Sequence, residues 1–498
     1  MIDTATLDYD FDEETLGFEE PPQQPAPPAS WPERLSITAV ALGFLALIIA
    51  LLGPLSGTWA GILLSFGLIV LGSSAYYWFA YRNTVPGIKH DGIMFGSATH
   101  LGLIGWALGI VITGFYVVLY WWPEYLERGV RLVDPLSQSL AGGPADRWFF
   151  YGFLYTLAIL VFGVRMFMKY RHNRYQIIRT ASVMFFQLGL AFLIPQLLKS
   201  FNQPEFYFTY FWPLKYDYLF PSTVASLTGH PGALGVFMVF WGAVASFIAT
   251  PVLTYFYGKR WYCSWVCGCG GLAETLGDPF RQLSSKTTRS WRIERGIIYS
   301  VLIFITVTTI ALWVNSATEG RVFGRLSGPL ASAYGFYIGA LFSGVIGVGF
   351  YPLMGSRVWC RFGCPMAAIL GIFQRFFSRF RITTNGGQCM SCGNCSTYCE
   401  MGIDVRAYAQ RGENIVRASC VGCGICSAVC PRGVLKLENG PTHADRYPGS
   451  DRPLAAFQEA VSAAKVYEGK NGQAAPEPAD PALLSQRRPL KSQFTRRL

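Results

Sequence analysis

The stretch "CVGCGICSAVCP", from Cys420 to Pro431, decides the fold of the C-terminal part of the chain. Its cysteines follow the spacing C-x2-C-x2-C-x3-C and end in Cys-Pro. The stretch "CMSCGNCSTYC", from Cys389 to Cys399, repeats that spacing. Three closely spaced thiolates on a tight loop can bind three corners of an iron–sulfur cubane, so the fourth ligand of each cubane must come from elsewhere in the chain.

Paired runs of this kind are typical of bacterial ferredoxins with two [4Fe-4S] clusters, in which the last cysteine of each run binds the other cluster. The glycines between the cysteines let the loop backbone approach the inorganic sulfurs closely. The spacing therefore predicts a C-terminal α+β ferredoxin-like domain with two clusters. The predicted ligands are Cys389, Cys392, Cys395 and Cys430 for the first cluster, and Cys420, Cys423, Cys426 and Cys399 for the second.

The same cysteines could instead form two structural zinc sites, because C-x2-C is also a zinc-ligand spacing. Two complete four-cysteine runs and the Cys-Pro ending favour iron–sulfur clusters over zinc. The first run departs from the usual pattern, since Glu400 stands where a proline is usual. This difference removes no ligand.

A second cysteine pattern lies at the ends of two apolar runs. "GKRWYCSWVC", ending at Cys267, and "GSRVWCRFGC", ending at Cys364, share the pattern G-x-R-x-aromatic-C-x3-C. If each stretch is helical, its two cysteines lie on one face, and the two faces together would present four thiolates. Such a set suits an iron–sulfur cluster, Cu(I) or zinc, although buried cysteines also pack simply as small apolar side chains. The predicted third centre comprises Cys263, Cys267, Cys360 and Cys364, and Cys269, which has no counterpart in the second repeat, is accessory.

Eight apolar runs are long enough to span a bilayer, which takes about 20 residues. Cations are concentrated after the second, fourth, sixth and eighth runs, which by the positive-inside rule places both termini and every cysteine in the cytoplasm. We therefore expect a multi-pass bacterial inner-membrane protein that contacts lipid, and the net charge of +11 does not indicate a nucleic-acid partner. The predicted spans are Ile37–Leu55, Ala60–Tyr81, Leu101–Trp122, Trp148–Met168, Ala181–Leu198, Ala233–Tyr257, Ile297–Val314 and Ala333–Met354.

These patterns predict an all-α polytopic membrane protein with a small α+β domain at its C-terminal side. All 13 cysteines lie between Cys263 and Cys430, in clusters that do not suggest a disulfide framework. The predicted organisation is a disordered acidic and proline-rich tail (1–33), helices one to five (34–232), a duplicated core with helices six to eight (233–380), the ferredoxin domain (381–440) and a largely disordered tail (441–498).

Residues 233–437 together resemble the membrane-bound polyferredoxin family, which includes NapH-type and NosR-type proteins and the CcoG-type copper reductase. The shared marks are two C-x3-C-P motifs at cytoplasmic membrane edges and a C-terminal ferredoxin pair. The resemblance implies an electron-transfer subunit that serves quinol oxidation, metalloenzyme maturation or copper reduction. The first motif differs from the family, because Gly268 stands where proline is expected.

The favoured function is an oxidoreductase that passes electrons between a quinone pool or a cytoplasmic donor and a partner redox protein or respiratory complex. A copper or metal reductase, a metalloenzyme assembly factor and a scaffold subunit are the alternatives. The chain has no nucleotide-binding glycine fingerprint, so we do not expect it to oxidise NAD(P)H itself. The aromatic loop at 200–222 could support a quinone ring, although interfacial anchoring explains its aromatic residues equally well.

Overall fold

The computed structural model describes residues 30–53, 55–82, 96–385 and 388–440. All of them belong to one compact unit, Met1–Arg446. The first helix begins at Trp31, where the Ser30 hydroxyl and the Glu33 carboxylate form a capping box. Most of the predicted N-terminal tail and all of the predicted C-terminal tail lie outside the described residues.

Eight helices are long and apolar enough to cross a membrane, which confirms the predicted polytopic all-α class. Several contain π-helical turns, at Leu63–Gly67, Phe186–Leu193, Ala245–Ala249 and Gly335–Ile346. The spanning helices are Trp31–Leu52, Trp59–Arg82, Leu103–Trp121, Arg147–Lys169, Arg174–Ser200, Leu234–Tyr257, Thr288–Ala317 and Ser327–Ile346.

The eighth spanning helix lies earlier in the chain than predicted. It ends at Ile346 rather than Met354, and the chain turns before a short helix, Tyr351–Met354. A Cβ at Gly349 would lie 2.4 Å from the Thr113 hydroxyl oxygen, so the chain can approach the third spanning helix this closely only with glycine here. The apolar run is continuous in sequence, but its last part packs as a turn.

Short helices connect the spanning helices. Because successive spanning helices run in opposite directions, the fourth and sixth end at the same face, which we call the cysteine face, and the fifth ends at the opposite face. The short helices between residues 96 and 334 are Gly96–Thr99, Pro123–Leu126, Glu127–Leu132, Asp134–Ala141, Pro221–Thr228, Arg260–Cys263, Gly268–Glu274, Asp278–Leu283 and Gly324–Leu326, and part of the eighth span is Ser327–Tyr334.

The ferredoxin portion follows the amphipathic helix Pro365–Phe376. Its two strands, β1 (Phe380–Thr384) and β2 (Leu435–Asn439), pair in antiparallel register with Phe380 opposite Asn439. Between them lie the short helices Asn394–Thr397, Val405–Arg411 and Ile425–Ala428. One buried apolar cluster runs from the ferredoxin portion into the helix bundle, joining residues such as Ile415 and Val434 to Tyr262 and Ile298.

Candidate iron–sulfur and cysteine sites

The first cysteine cavity lies in the ferredoxin portion and has a volume of about 370 Å³. Its walls include the loop from Cys389 to Cys395 and the segment at Cys430. Gly393 has φ +77°, a left-handed conformation that turns the loop and that glycine adopts without strain. The structure thus brings together around this cavity the thiols of Cys389, Cys392, Cys395 and Cys430.

The second cysteine cavity is almost the same size, about 380 Å³. Gly422 and Gly424 have φ of +65° and +74°, so its loop turns in the same way. The amide of Ile403 donates to the Cys399 sulfur at 3.3 Å. The four thiols brought together here are those of Cys399, Cys420, Cys423 and Cys426.

Each cavity has the donor set that a cubane needs. A [4Fe-4S] cluster spreads its four thiolates over four separate irons, so the ligands surround a cavity rather than a point. Four thiols from two separate stretches of the chain line each cavity. The residues present therefore fit a [4Fe-4S] cluster in each cavity.

The loop of the second cavity is fastened to the helix bundle. Four consecutive backbone carbonyls, from Cys420 to Cys423, each accept a hydrogen bond from a side chain that precedes the ferredoxin portion in the chain. The donors are Gln374 to Cys420 (2.7 Å), Ser264 to Val421 (2.8 Å), Tyr175 to Gly422 (2.9 Å) and Gln176 to Cys423 (2.8 Å). The second cavity is therefore built partly by the bundle.

The loop of the first cavity faces outward. Cys392 is exposed, and the neighbouring Met390 side chain is 58% exposed. Arg406 and Arg432 also line this cavity. An electron carrier held here would be the one accessible to another protein.

Glu400, the residue in place of the usual proline, is completely buried. Its carboxylate lies 2.6 Å from Arg281 and 3.1 Å from Arg357, and its carbonyl accepts a hydrogen bond from Ser284 at 2.8 Å. Burial alone would raise the pKa of Glu400, but the guanidinium groups of Arg281, Arg357 and Arg179 hold it below the ordinary value. Glu400 is therefore an ionised group inside the protein.

Glu400 belongs to a buried ion network at the cysteine face, whose side chains are at most 4% exposed. Burial would raise the pKa of Asp278, but Lys169, Arg165 and Arg281 hold it well below its usual value. Buried charges need partners of this kind because an unpaired charge costs several kcal/mol. The further pairs are Arg165–Asp278 (2.5 Å), Lys169–Asp278 (3.0 Å), Arg281–Asp278 (2.8 Å), Arg179–Glu274 (2.6 Å) and Arg357–Glu274 (2.5 Å).

The membrane-edge cysteines, Cys263, Cys267, Cys360 and Cys364, do not lie on two continuous helices, so the helical condition under which one face would carry both cysteines of a repeat is not met. The helix Arg260–Cys263 ends, and Cys267 is the extended N-cap of the next helix, Gly268–Glu274. In the second repeat the π-helical turn Trp359–Gly363 ends before Cys364, the extended N-cap of Pro365–Phe376. A residue before proline is pushed away from helical geometry, which explains the break at Cys364.

The two repeats nevertheless share backbone features, and their four cysteines are near one another. Gly258 and Gly355 occupy equivalent positions and have φ of +65° and +93°. Cys263, Cys360 and Cys364 are buried. Burial raises the pKa of Cys364, and the charges of Cys360, Cys263 and Cys267 are close enough to raise it further. Burial raises the pKa of Cys263 to about 12, whereas a hydrogen bond from Cys269 and the amide of Gly270 lower the pKa of Cys267 to about 6.

The glycines on either side of Cys269 lie close to neighbouring segments. A Cβ at Gly270 would clash with the Cys263 carbonyl oxygen, so the Cys263 turn occupies the space that a larger residue would need there. At Gly268 a Cβ would lie 2.7 Å from the amide oxygen at the end of the flexible Gln187 side chain. Nothing in the structure explains why the first motif lacks proline at this position.

A large cavity inside the bundle reaches the membrane-edge cysteines from the opposite face. Its volume is about 1210 Å³, slightly above the range of about 300–1,000 Å³ that is usual for a ligand pocket. Polar groups line it near the opposite face and aromatic rings line its middle. Its wall includes Asp146, Lys199 and Glu205 at one end, Tyr155, Gln187, Tyr262 and Trp359 along its length, and Cys267, Cys269 and Cys364 at the other.

The ion network and the bundle cavity were not predicted from the sequence. Arg165 and Lys169 lie at the end of a spanning helix and read as ordinary loop cations, and Asp278 and Glu274 lie in a connection. Glu400 in place of the usual proline was the one visible signal, because a carboxylate that is buried beside Cys399 needs a cation as its partner.

Two family models match the chain. A "4Fe-4S binding domain" model matches twice, at residues 239–287 and 337–383, once for each membrane-edge repeat. A "4Fe-4S dicluster domain" model matches residues 388–435, which contain both ferredoxin runs. The chain therefore has two [4Fe-4S] clusters in its C-terminal region and a role in iron–sulfur electron transfer.

Several curated proteins are similar over about 160 residues. YccM of Escherichia coli, named for electron transport, is 26% identical over 154 residues, covering 30% of this chain and 43% of that protein. The methylamine utilization ferredoxin-type protein MauN of Methylobacillus flagellatus is 27% identical, covering 32% and 55%. The ferredoxin-type protein NapH of Haemophilus influenzae is 23% identical, covering 30% and 52%.

The chain thus spans about half the length of these relatives, and no solved structure matches it. The two family models match the parts of the chain that carry the cysteines. The eight spanning helices and the matches to two 4Fe-4S family models all indicate a membrane protein with iron–sulfur clusters. Over part of its length the chain is similar to ferredoxin-type electron transport proteins, which supports the resemblance to the polyferredoxin membrane family.

Proposed function

We propose that this protein carries electrons between a membrane-embedded donor and a partner redox protein, through clusters held in the two cysteine cavities. Each cluster supplies a centre that takes up and releases one electron. Cys389, Cys392, Cys395 and Cys430 would hold the first cluster, and Cys399, Cys420, Cys423 and Cys426 the second. The observation that carries this proposal is the pair of equal cavities, each lined by four thiols from two separate stretches of the chain.

The two cavities differ in what surrounds them, so the electron path between them has one end at the membrane bundle and one at the protein surface. Gln374, Ser264, Tyr175 and Gln176 hold the second cavity against the membrane bundle, whereas Cys392 and Met390 expose the first. This arrangement supports electron exchange with the membrane at the second cavity and with a soluble partner at the first. We infer from the charge distribution of the connecting loops that the cysteine face is cytoplasmic and that the membrane is the bacterial inner membrane.

We infer further that the membrane-edge cysteines hold a third iron–sulfur centre and that the bundle cavity admits a quinone. One family model described as a 4Fe-4S binding domain covers both repeats, and the four thiols come from the two repeats into one cluster of packed residues. The cavity is lined by the flat rings and hydrogen-bonding groups that suit a quinone head, including Tyr155, Gln187 and Trp359, and it ends at Cys267 and Cys364.

Anaerobic purification with iron and sulfide analysis tests the cluster assignments. Two clusters correspond to roughly eight irons per chain, and a third raises the total to roughly twelve. Changing all four membrane-edge cysteines to serine should return the total to roughly eight, and an unchanged count would contradict the third centre. Reduction of the clusters by quinol in reconstituted membranes, and its loss when Trp359 is replaced by alanine, tests the quinone role.

A further inference from the structure

Glu400 joins the second cysteine cavity to the buried ion network. It follows Cys399 directly in the chain and lines the same cavity. Its carboxylate lies 2.6 Å from Arg281 on one side and 3.1 Å from Arg357 on the other. A proline at this position, as is usual in such runs, would leave both cations without this partner.

Arg357 carries the connection on to the membrane-edge cysteines. Its guanidinium donates to the Cys360 sulfur at 3.6 Å and to the Cys263 carbonyl oxygen at 3.1 Å. The same group pairs with Glu274 at 2.5 Å. A single buried cation is therefore shared between a carboxylate at the second cavity and a thiol of the membrane-edge set.

The network contains more cations than carboxylates. Its cationic side chains are those of Arg165, Lys169, Arg179, Arg281 and Arg357, and its carboxylates are those of Asp278, Glu274 and Glu400. Positive charge close to a cluster favours the form with the added electron, and the effect is large where water is excluded. Without Glu400 the excess of positive charge in the network would increase by one. That increase would lie beside the second cavity, which Glu400 lines.

We propose that Glu400 sets the reduction potential of the second cluster relative to the first. Its carboxylate offsets the buried cations, so that the second cluster does not retain electrons that must pass to the exposed cluster. Arg281 and Arg357 are the positioning residues that keep Glu400 charged inside the protein. The inference rests on the proposed assignment of Cys399, Cys420, Cys423 and Cys426 to the second cluster.

Glu400→Gln tests this inference because it removes the charge and nearly preserves the shape. The full-length protein in lipid nanodiscs would be titrated potentiometrically, with the clusters followed by EPR. We expect the reduction equilibrium of the second cluster to shift about tenfold toward the reduced form, which is about 59 mV for one electron. The first cluster, in the same molecule, should keep its potential.

Two further variants separate charge from structure. Glu400→Asp keeps the charge and should keep the second potential within about a factor of three of wild type in the equilibrium constant. Glu413→Gln removes a carboxylate that pairs with Arg411 at 3.0 Å on the surface and is about half exposed. It should leave both potentials unchanged, because exposed charges are screened by solvent.

The iron content distinguishes the possible failures. If Glu400→Gln retains roughly eight irons in the two ferredoxin clusters and neither potential moves, the inference is overturned while the cluster assignments stand. If the wild-type protein contains no iron–sulfur clusters, the proposed function itself fails. If Glu400→Gln does not take up its iron–sulfur clusters, Glu274→Gln is the substitute variant, because it removes the other carboxylate paired with Arg357. It should raise the reduction potential of the second cluster by a smaller amount. An unchanged potential in Glu274→Gln would also overturn the inference.

Discussion

The two cysteine cavities are each lined by four cysteines and have nearly the same volume, yet their surroundings differ. The first is open at Cys392 and Met390 and lies beside surface arginines. The second is held by three side chains of the membrane bundle and by Gln374 of the amphipathic helix, and it lies beside a buried ion network. Ligand type determines which cofactor binds, and the surroundings determine how the bound cofactor behaves.

Removing a cysteine should give the largest effect and should act on one cavity at a time. We expect Cys395→Ser and Cys426→Ser each to lower the iron content by roughly four per chain, because each replaces one ligand of one cubane. Metal and sulfide analysis with EPR would show which cluster is lost. Cys269→Ser, which lines neither ferredoxin cavity, is the control and should keep both; loss of both clusters in Cys395→Ser would contradict the separation of the cavities.

Breaking the attachment to the bundle should affect the second cavity alone. Gln374→Leu removes hydrogen bonds to the carbonyls of Arg417 and Cys420 and leaves the Lys259 amide without its acceptor. Stranded buried groups cost about 1–3 kcal/mol each, so the thermal midpoint should fall and the second cluster should be lost first on heating. Gln410→Leu, which removes an exposed hydrogen bond to Ser391 beside the first cavity, should cost roughly 0.5 kcal/mol or less.

Acid should lower the stability of the buried ion network beside the second cavity before it affects the first cavity. Asp278 and Glu400 have pKa values below those of the unfolded chain, because neighbouring cations outweigh the effect of burial. Their contribution to stability is therefore fully present above the unfolded values of about 4 and is lost as pH falls further toward the folded values. Thermal unfolding measured from pH 7 to pH 3 should show this loss, and Asp278→Asn should be less stable at pH 7 but show a flatter profile. An equally steep profile in that variant would contradict the role of Asp278.

Changing the surface charge at the first cavity should give the smallest effect. Arg432 lines that cavity and is exposed, so it should attract anionic reagents. We expect Arg432→Glu to slow oxidation of the first cluster by ferricyanide several-fold at low salt and hardly at all at high salt, because salt screens surface charges. Stopped-flow absorbance would measure the rate. A rate that did not depend on salt would show that the exposed edge is not the route of oxidation.

The sequence was sufficient to predict features that depend on spacing and length. Eight apolar runs predicted eight spanning helices, and the C-x2-C-x2-C-x3-C runs predicted two clusters. Both depend on local regularities, since a bilayer has a fixed thickness and a cubane has fixed corners. The eighth helix was misplaced because its end depends on how closely Gly349 approaches Thr113, which is a contact between distant residues.

The same limit explains what the sequence did not reveal. Glu400 and Arg281 are 119 positions apart, and Arg165 and Asp278 are 113 positions apart, so neither pair has a local pattern. The bundle cavity likewise arises between helices, from the fourth and fifth spans and the turn at Cys267. The i, i+4 spacing of the membrane-edge cysteines would place them on one face only in a continuous helix, and the structure breaks the helix in both repeats.

The four side-chain hydrogen bonds to the carbonyls from Cys420 to Cys423 have a consequence for how the protein is assembled. Tyr175, Gln176, Ser264 and Gln374 come from segments that are synthesised before the loop they hold, and three of them lie at membrane helices or their connections. The loop of the second cavity is therefore complete only when those segments are folded beside it. We expect a ferredoxin portion expressed by itself to form the first site and to lack the side chains that hold the second.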